Sequence, residues 1–419
     1  MGLDVARALA LLGMIGAHVG TTGELVLGDP TTWGALVHGR SSILFAVLAG
    51  VSISLMTGRQ AAPTPERIPQ IRLGLLGRGA AIFAIGLLLE LLNTPIAVIL
   101  TVYGILYIVA IPFLRWSPRR LLIGAVVLAV AGPPLLSLVQ SLLLLPTGAG
   151  LDLVLFGTYP VTVWMAFIFA GMALGRLRPD RIRTAVVCLI AGVVLSTVGY
   201  GIGALAGGTS EYDDSFSSSS SSFPSVADGE VYGVSHEEVD LTGTLCDKYS
   251  DGYISCYPKA DSTADDSTDA GYGTVGGWEA YAESLESMPP LESMLATFTM
   301  ADPHSGGTAE ILGSGGFAMV IIGLCLLLSR PVRWLLLPFA ALGSMPLTAY
   351  SAHIVALFIL AGPGGYHSGD DVWLVMSIAL ILSSTLWVIF FGRGPLERLV
   401  GRAAQSMARQ PVAARSVEI

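Results

Sequence analysis

Three ionisable residues interrupt the first apolar segment of the chain, which runs from about residue 3 to residue 20; they are Asp4, Arg7 and His18. Arg7 and His18 are close to three helical turns apart, so both lie on one helix face, about 16 Å apart along the axis. The imidazole of His18 can act as a general base that takes a proton from a hydroxyl or an amine. The guanidinium of Arg7 can bind an anion. The alternative is that Arg7 reaches the membrane interface beside Asp4 and that His18 is a polar helix end.

The other histidines favour one shared location. They stand beside or inside later apolar segments, and all except His236 fall at the same end of the predicted spans as His18: His38, His304, His353 and His367. Each is a candidate base or proton carrier. The alternative is that loops favour polar residues and histidine is one of them. Arg40, close to His38, is the candidate donor to an oxyanion, and a backbone amide is the other candidate.

The elements that position these residues are predicted to be membrane helices. The 419 residues are 53% hydrophobic and 13% charged, unlike a soluble domain. Apolar blocks of about 20 residues match the thickness of a bilayer. The sequence therefore predicts an all-α integral membrane protein with ten spans, at roughly 3–20, 41–57, 73–92, 95–114, 120–142, 159–176, 184–205, 309–329, 339–361 and 373–391. Within the span at 339–361 and just before it, Pro338, Gly343 and Pro346 predict a broken or re-entrant entry.

Charge divides the chain into four parts: membrane helices at 1–205, an acidic insert at 206–308, membrane helices at 309–391 and a tail at 392–419. The insert has 19 acidic residues, two lysines and no arginine, whereas the remainder has 12 acidic residues and 20 arginines. Under the ten-span count, 18 of the arginines fall on one side of the membrane. The positive-inside rule therefore predicts a cell-membrane protein with cytoplasmic termini and an extracytoplasmic insert. The net charge of −9 argues against a nucleic-acid partner.

The insert is predicted to be partly disordered, because its SFSSSSSSFP tract has little to bury. Cys246 and Cys256 both lie in it, outside the cytoplasm, where disulfides persist, so we expect them to pair. The sequence contains no HExxH motif and no close His/Cys pair, which argues against a zinc site.

Several segments resemble the transmembrane acyltransferase superfamily, and in particular the heparan-alpha-glucosaminide N-acetyltransferase-like proteins. LDVARALALLGMIGAHV has the Arg-x10-His spacing that marks the first helix of that superfamily, and SSILFAVLAGVSIS is similar to its second helix. PHSGGTAEILGSGGFAMVIIGLCLLL, GSMPLTAYSAHIV and GRGPLE resemble boxes of actinobacterial members of these and related uncharacterised branches. The resemblance covers the first two and the last three predicted spans.

This resemblance implies an acyltransferase that uses acyl-CoA, expected to be acetyl-CoA, as donor, with no tightly bound cofactor. Arginines on the cytoplasmic side would hold the phosphates of the donor: Arg7, with Asp4 beside it, Arg72 and Arg78. His18 would deprotonate an acceptor that arrives from outside, and the resemblance implies that this acceptor is an envelope glycan or glycolipid. A secondary transporter and a non-catalytic protein of envelope assembly remain the alternatives, because intramembrane charges and a broken helix fit a transporter too.

Overall fold

The computed structural model describes residues 1–20, 28–58, 64–143, 149–179, 181–207, 244–248, 254–258, 278–287 and 289–409. The chain divides into two compact units. One unit comprises 1–211 and 285–419 and is helical throughout its described part. The other comprises 212–284. His236 and the serine tract of the predicted insert lie outside the described residues.

The helices, numbered in chain order, are α1 (Gly2–Val19), α2 (Arg40–Met56), α3 (Ile68–Glu90), α4 (Leu100–Val109), α5 (Pro118–Leu143), α6 (Ala149–Leu151), α7 (Val161–Arg176), α8 (Ile182–Gly207), α9 (Trp278–Ser287), α10 (Pro290–Ala296), α11 (Thr308–Leu328), α12 (Arg333–Ser344), α13 (Pro346–Ala361), α14 (Asp370–Phe391) and α15 (Pro395–Ala408). Short 3-10 turns occur at Pro30–Leu36 and Ile111–Phe113.

Seven helical segments in the described part of the chain are long and apolar enough to cross a membrane, and the bent pair α12–α13 makes a possible eighth. Two of the ten predicted spans correspond to shorter apolar helices instead. The span at 95–114 contains α4, of 10 residues, and the span at 159–176 contains α7, of 16 residues. At 1.5 Å per residue, α4 is only about 15 Å long, half of a typical hydrocarbon core.

The first helix lies at the centre of the bundle, where α2, α11, α12 and α14 pack around it. Four of its residues have no exposed surface: Ala6, Ala8, Ala10 and Leu11. A helix that faced lipid would expose side chains of this kind. The outer helices α5, α8 and α14 instead leave most of their apolar side chains exposed. The middle of the central helix is therefore enclosed by protein, and its polar residues Arg7 and His18 contact side chains of other helices.

Helices α8 and α11 pack backbone to backbone through glycine. A Cβ built on Gly199 would lie 2.2 Å from the amide nitrogen of Gly313, and a Cβ on Gly192 would lie 2.7 Å from the carbonyl oxygen of Gly316. No larger residue fits either position without moving a helix. Small residues at an interface are the usual means by which membrane helices approach closely.

The predicted break before the ninth span is confirmed as a bend of 76° between α12 and α13. The carboxylate of Glu397, in α15, accepts hydrogen bonds from the amides of Leu347 and Thr348 (2.8 and 3.1 Å) and from the Thr348 hydroxyl (2.5 Å). These groups belong to the first turn of α13, whose amides have no partner within the helix. The terminal GRGPLE segment therefore fixes the direction in which α13 leaves the bend.

The second unit contains two antiparallel strands, β1 (Thr244–Lys248) and β2 (Ile254–Pro258). Their register places Cys246 opposite Cys256. Directly opposed residues are the nearest neighbours across an antiparallel pair of strands. The backbone is thus compatible with the disulfide, which stays a prediction.

Candidate functional site

Four of the predicted histidines come together at one end of the bundle, although they are far apart in sequence. His18, His38 and His304 line a cavity of about 210 Å³, and His353 contacts His18 directly beside it. We name this space the histidine cavity. The rest of its lining includes residues of α1 and of the start of α2, the chain before α4, Thr158 and Tyr159, and Tyr350 and Tyr366.

The closest pair within this group is His18 and His353. Nδ1 of His18 lies 3.2 Å from Nε2 of His353, and the two rings are stacked with their centroids 5.4 Å apart. His353 is completely buried, in α13, and its ring also packs edge-on against Tyr350 at 4.8 Å. If Nδ1 of His18 donates to His353, Nε2 of His18 keeps a free lone pair and can accept a proton. The pair can therefore orient one imidazole as a base.

The second pair, His38 and His304, stands in short loops. Their rings meet edge to face at 5.7 Å, and the ring of Tyr159 packs against His304 at 5.8 Å. Burial against these groups lowers the pKa of His304 below its usual 6.5, and the nearby His38 lowers it further. His304 is therefore neutral at pH 7 and able to accept a hydrogen bond.

A buried carboxylate holds the loop of His304 in place. Glu310, only 3% exposed, accepts hydrogen bonds from the amides of His304 and Gly306, both at 2.7 Å, and from the Ser305 hydroxyl at 3.2 Å. His304 has φ +67°, a left-handed conformation that costs a residue other than glycine about 1–3 kcal/mol. Glu310 thus stabilises a strained turn that directs His304 towards the cavity.

A second cavity, of about 580 Å³, lies towards the other end of α1, and we name it the arginine cavity. Arg7, Arg78 and Arg393 line it together with Glu397, and the rest of its wall is mostly apolar. Arg7 is fixed on two sides, by the carboxylate of Asp4 at 2.6 Å and by the hydroxyl of Ser52 at 3.1 Å. Three guanidiniums beside apolar walls can hold the phosphates of an amphiphilic anion.

Other predicted site residues stand outside the two cavities. The Nε atom of Arg40 donates to the Tyr200 hydroxyl at 2.6 Å, its Nη1 donates to the Ala35 carbonyl at 2.8 Å, and its guanidinium lies over the Tyr200 ring. Arg72 is exposed and does not line the arginine cavity. His367 borders a small void beside His18. In the described part of the chain, no three His, Cys, Asp or Glu residues are placed to hold a metal ion.

The structure also brings in residues that sequence reasoning missed. Tyr159 and Tyr350 line the histidine cavity, and Tyr103, Arg393 and Glu397 line the arginine cavity. The tyrosines carry no distinctive signal, because aromatic residues are common in membrane helices. Arg393 and Glu397 belong to the GRGPLE segment, which was noted for its resemblance and not for its chemistry.

The fold and its two cavities define a class: multi-pass helical membrane proteins with a polar site enclosed between the helices. Residues 1–200 match the family model described as heparan-alpha-glucosaminide N-acetyltransferase, catalytic, and residues 286–406 match the model of a protein family of unknown function, DUF418. The match over residues 1–200 confirms the resemblance to heparan-alpha-glucosaminide N-acetyltransferase-like membrane acyltransferases seen in the sequence. Neither the curated proteins nor the solved structures gave a match to this chain.

Proposed function

We propose that this protein transfers an acyl group, expected to be acetyl, from acyl-CoA to an acceptor on the opposite side of the membrane. The observation that supports this most strongly is the pair of cavities at the two ends of α1. One is lined by arginines and the other by histidines, and they lie within a chain whose first 200 residues match an acetyltransferase catalytic model.

In this proposal the donor occupies the arginine cavity. Its phosphates pair with Arg7, Arg78 and Arg393, and Asp4 and Ser52 hold Arg7 in position for that contact. Its acyl thioester extends along α1 towards the histidine cavity. The distance to be covered is about 16 Å, the rise of α1 between Arg7 and His18. A donor with a charged head and a long, narrow arm fits that distance, whereas a compact donor does not.

The chemistry would take place at His18. Nε2 of His18 accepts the proton of the acceptor hydroxyl or amine while the oxygen or nitrogen attacks the thioester carbonyl carbon. His353 shares the positive charge through its contact with Nδ1. When the carbon–sulfur bond breaks, the proton on His18 passes to the departing thiolate, so the histidine returns to its neutral form. The Arg40 guanidinium is already bonded to Tyr200 and Ala35, so a main-chain amide is the better candidate oxyanion donor.

The proposal also includes a topology. The arginine cavity faces the cytoplasm, both termini are cytoplasmic, and the histidine cavity opens towards the cell envelope. This orientation follows from the positive-inside rule, with α4 and α7 counted as short spans. The acceptor would then be an envelope glycan or glycolipid, and the acidic insert at 206–308 would lie on the acceptor side.

The test is acyl transfer by the purified protein in nanodiscs. Labelled acetyl-CoA is supplied with envelope glycolipids, and the products are analysed by mass spectrometry for one added acyl mass. We expect transfer by the wild type and loss of transfer in His18→Ala. His236→Ala, which changes a histidine of the insert, is the matched control and should keep its activity. Absence of any acylated product with a broad glycolipid mixture contradicts the proposal.

A secondary transporter is the second candidate, and the 76° bend between α12 and α13 favours it, because broken helices form the substrate sites of many transporters. The two functions differ in a measurable way. A transporter moves an intact substrate into proteoliposomes without a covalent change, whereas an acyltransferase leaves free CoA thiol and an acylated acceptor. Stoichiometric release of CoA thiol therefore decides between them.

A further inference from the structure

The histidine cavity and the arginine cavity are separated by a wall only about one side chain thick. On α2, Ser42 borders the histidine cavity and Phe45, one turn later, borders the arginine cavity. At the start of α4 the consecutive residues Ile99 and Leu100 border the two cavities in the same order. One turn of helix rises about 5 Å, so the two spaces nearly meet.

Tyr103 closes this wall. Its side chain borders the arginine cavity, and its hydroxyl crosses from α4 to α2 and donates to the carbonyl oxygen of Ser42 at 3.0 Å. Its ring packs against Phe45 at 5.4 Å and, edge-on, against Trp164 at 6.3 Å. The residue is only 2% exposed. Besides this packing, a single neutral hydrogen bond, worth about 0.5–1.5 kcal/mol, holds the hydroxyl in place.

We propose that Tyr103 is a gate between the two cavities. It blocks the path while its hydroxyl is bonded to Ser42, and it opens by turning its ring into the arginine cavity, where there is room for it. What passes the open gate rests on the proposed function and is the acyl thioester arm of the donor. The closed gate would keep water and small ions from crossing the protein when no donor is bound.

The neighbouring Tyr107 offers a matched control. Tyr107 is on the same helix, one turn further, and borders the same arginine cavity, but Tyr103 is the one whose hydroxyl bonds to Ser42. Tyr103→Phe therefore removes the closing hydrogen bond and keeps the ring, and Tyr103→Ala removes both. Tyr107→Phe removes a hydroxyl from the same cavity and leaves the closing bond intact.

The experiment measures passage without requiring any acyl transfer. The four native cysteines are replaced, and Met14→Cys, which is buried and borders the histidine cavity, becomes the reporter thiol. The full-length protein is placed in proteoliposomes. The membrane-impermeant anion sulfonatoethyl methanethiosulfonate is then added on one face at a time. Labelling from the histidine-cavity face shows that the reporter is reactive in every variant.

From the arginine-cavity face we expect slow labelling in the wild type. Tyr103→Phe should speed it roughly 2- to 12-fold, the range expected for losing one neutral hydrogen bond. Tyr103→Ala should speed it further, and Tyr107→Phe should leave it unchanged. If Tyr103→Ala fails to fold, the nearly isosteric Phe variant decides. An unchanged rate in Tyr103→Phe, or an equal increase in Tyr107→Phe, overturns the gate.

Acyl transfer by the same proteoliposomes separates the two ideas. A labelling increase in Tyr103→Phe without any transfer by the wild type supports the gate and removes the acyltransferase. Transfer by the wild type with no change in labelling removes the gate and leaves the acyltransferase in place.

Discussion

The turn that holds His304 should depend on the carboxylate of Glu310, and Glu310→Gln tests this with the least change in shape. One oxygen of Glu310 accepts from the His304 amide, and the other accepts from the Gly306 amide and the Ser305 hydroxyl. The glutamine carbonyl can replace one of these oxygens. Its NH₂ group then faces a donor instead of an acceptor, so at least one of the two amides loses its partner within the protein.

The cost follows from that one lost bond. An unsatisfied buried donor costs about 1–3 kcal/mol. Because the bond closes a local turn, the expected result is a local opening that is roughly 5- to 150-fold more populated. Glu310→Ala loses all three bonds and should open the turn further. His304→Gly should not open the turn in this way, because glycine adopts φ +67° without strain.

Hydrogen exchange followed by mass spectrometry measures this opening in the peptide that covers residues 303–309. In micelles at pH 7, Glu310→Gln should raise the exchange of that peptide and leave peptides of α1 unchanged. Glu292→Gln, which changes an exposed acid in α10, is the control and should alter nothing near His304. Exchange of the 303–309 peptide at the wild-type rate in both Glu310 variants would refute the reasoning.

Three further predictions concern the site and the insert. His18→Ala should lower kcat for acyl transfer by about 10²–10⁴-fold, whereas Arg7→Lys should chiefly raise KM for acyl-CoA; near wild-type kcat in His18→Ala removes it as the base. Because the pKa of His304 is lowered in the folded state, the unfolded chain binds more protons below pH 6.5, so the stability of the fold decreases as the pH falls below that value. Thermal unfolding measured between pH 7 and pH 5 should therefore show a smaller loss of stability in His304→Gly than in the wild type. Cys246 and Cys256 should form a disulfide, and intact-mass analysis that finds two free thiols contradicts it.

The sequence placed the histidines at one end of the membrane spans, where four of them meet, but it did not give the lengths of two of the helices. Arg7 and His18 were placed on one face by helical spacing alone, and they border the two cavities as that spacing requires. The contact between His18 and His353 could not be predicted, because 335 residues separate them. It depends on the direction of α13 after the bend, and Glu397 of α15 sets that direction.

The length of the fourth span also could not be predicted from the sequence. Hydropathy alone extends the fourth apolar segment from 95 to 114, but the helix begins only at Leu100 and ends at Val109. Pro95 and Pro112, on either side, interrupt regular backbone hydrogen bonding. Arg40 was predicted as an oxyanion donor from its position beside His38. Its partner Tyr200 lies on α8, a contact that no local pattern encodes.

The close packing of α8 against α11 has a consequence for how this protein could change over time. These two helices bracket the acidic segment, and a Cβ on Gly203, near the end of α8, would lie 2.3 Å from the side chain of Ala301, just before α11. The two attachment points are therefore already side by side. Closing a longer chain between fixed ends costs only about 0.6 kcal/mol for each doubling of its length. That position can accept a longer chain at little cost in entropy, which makes it a natural place for lineages to acquire new modules and for experimenters to insert a tag.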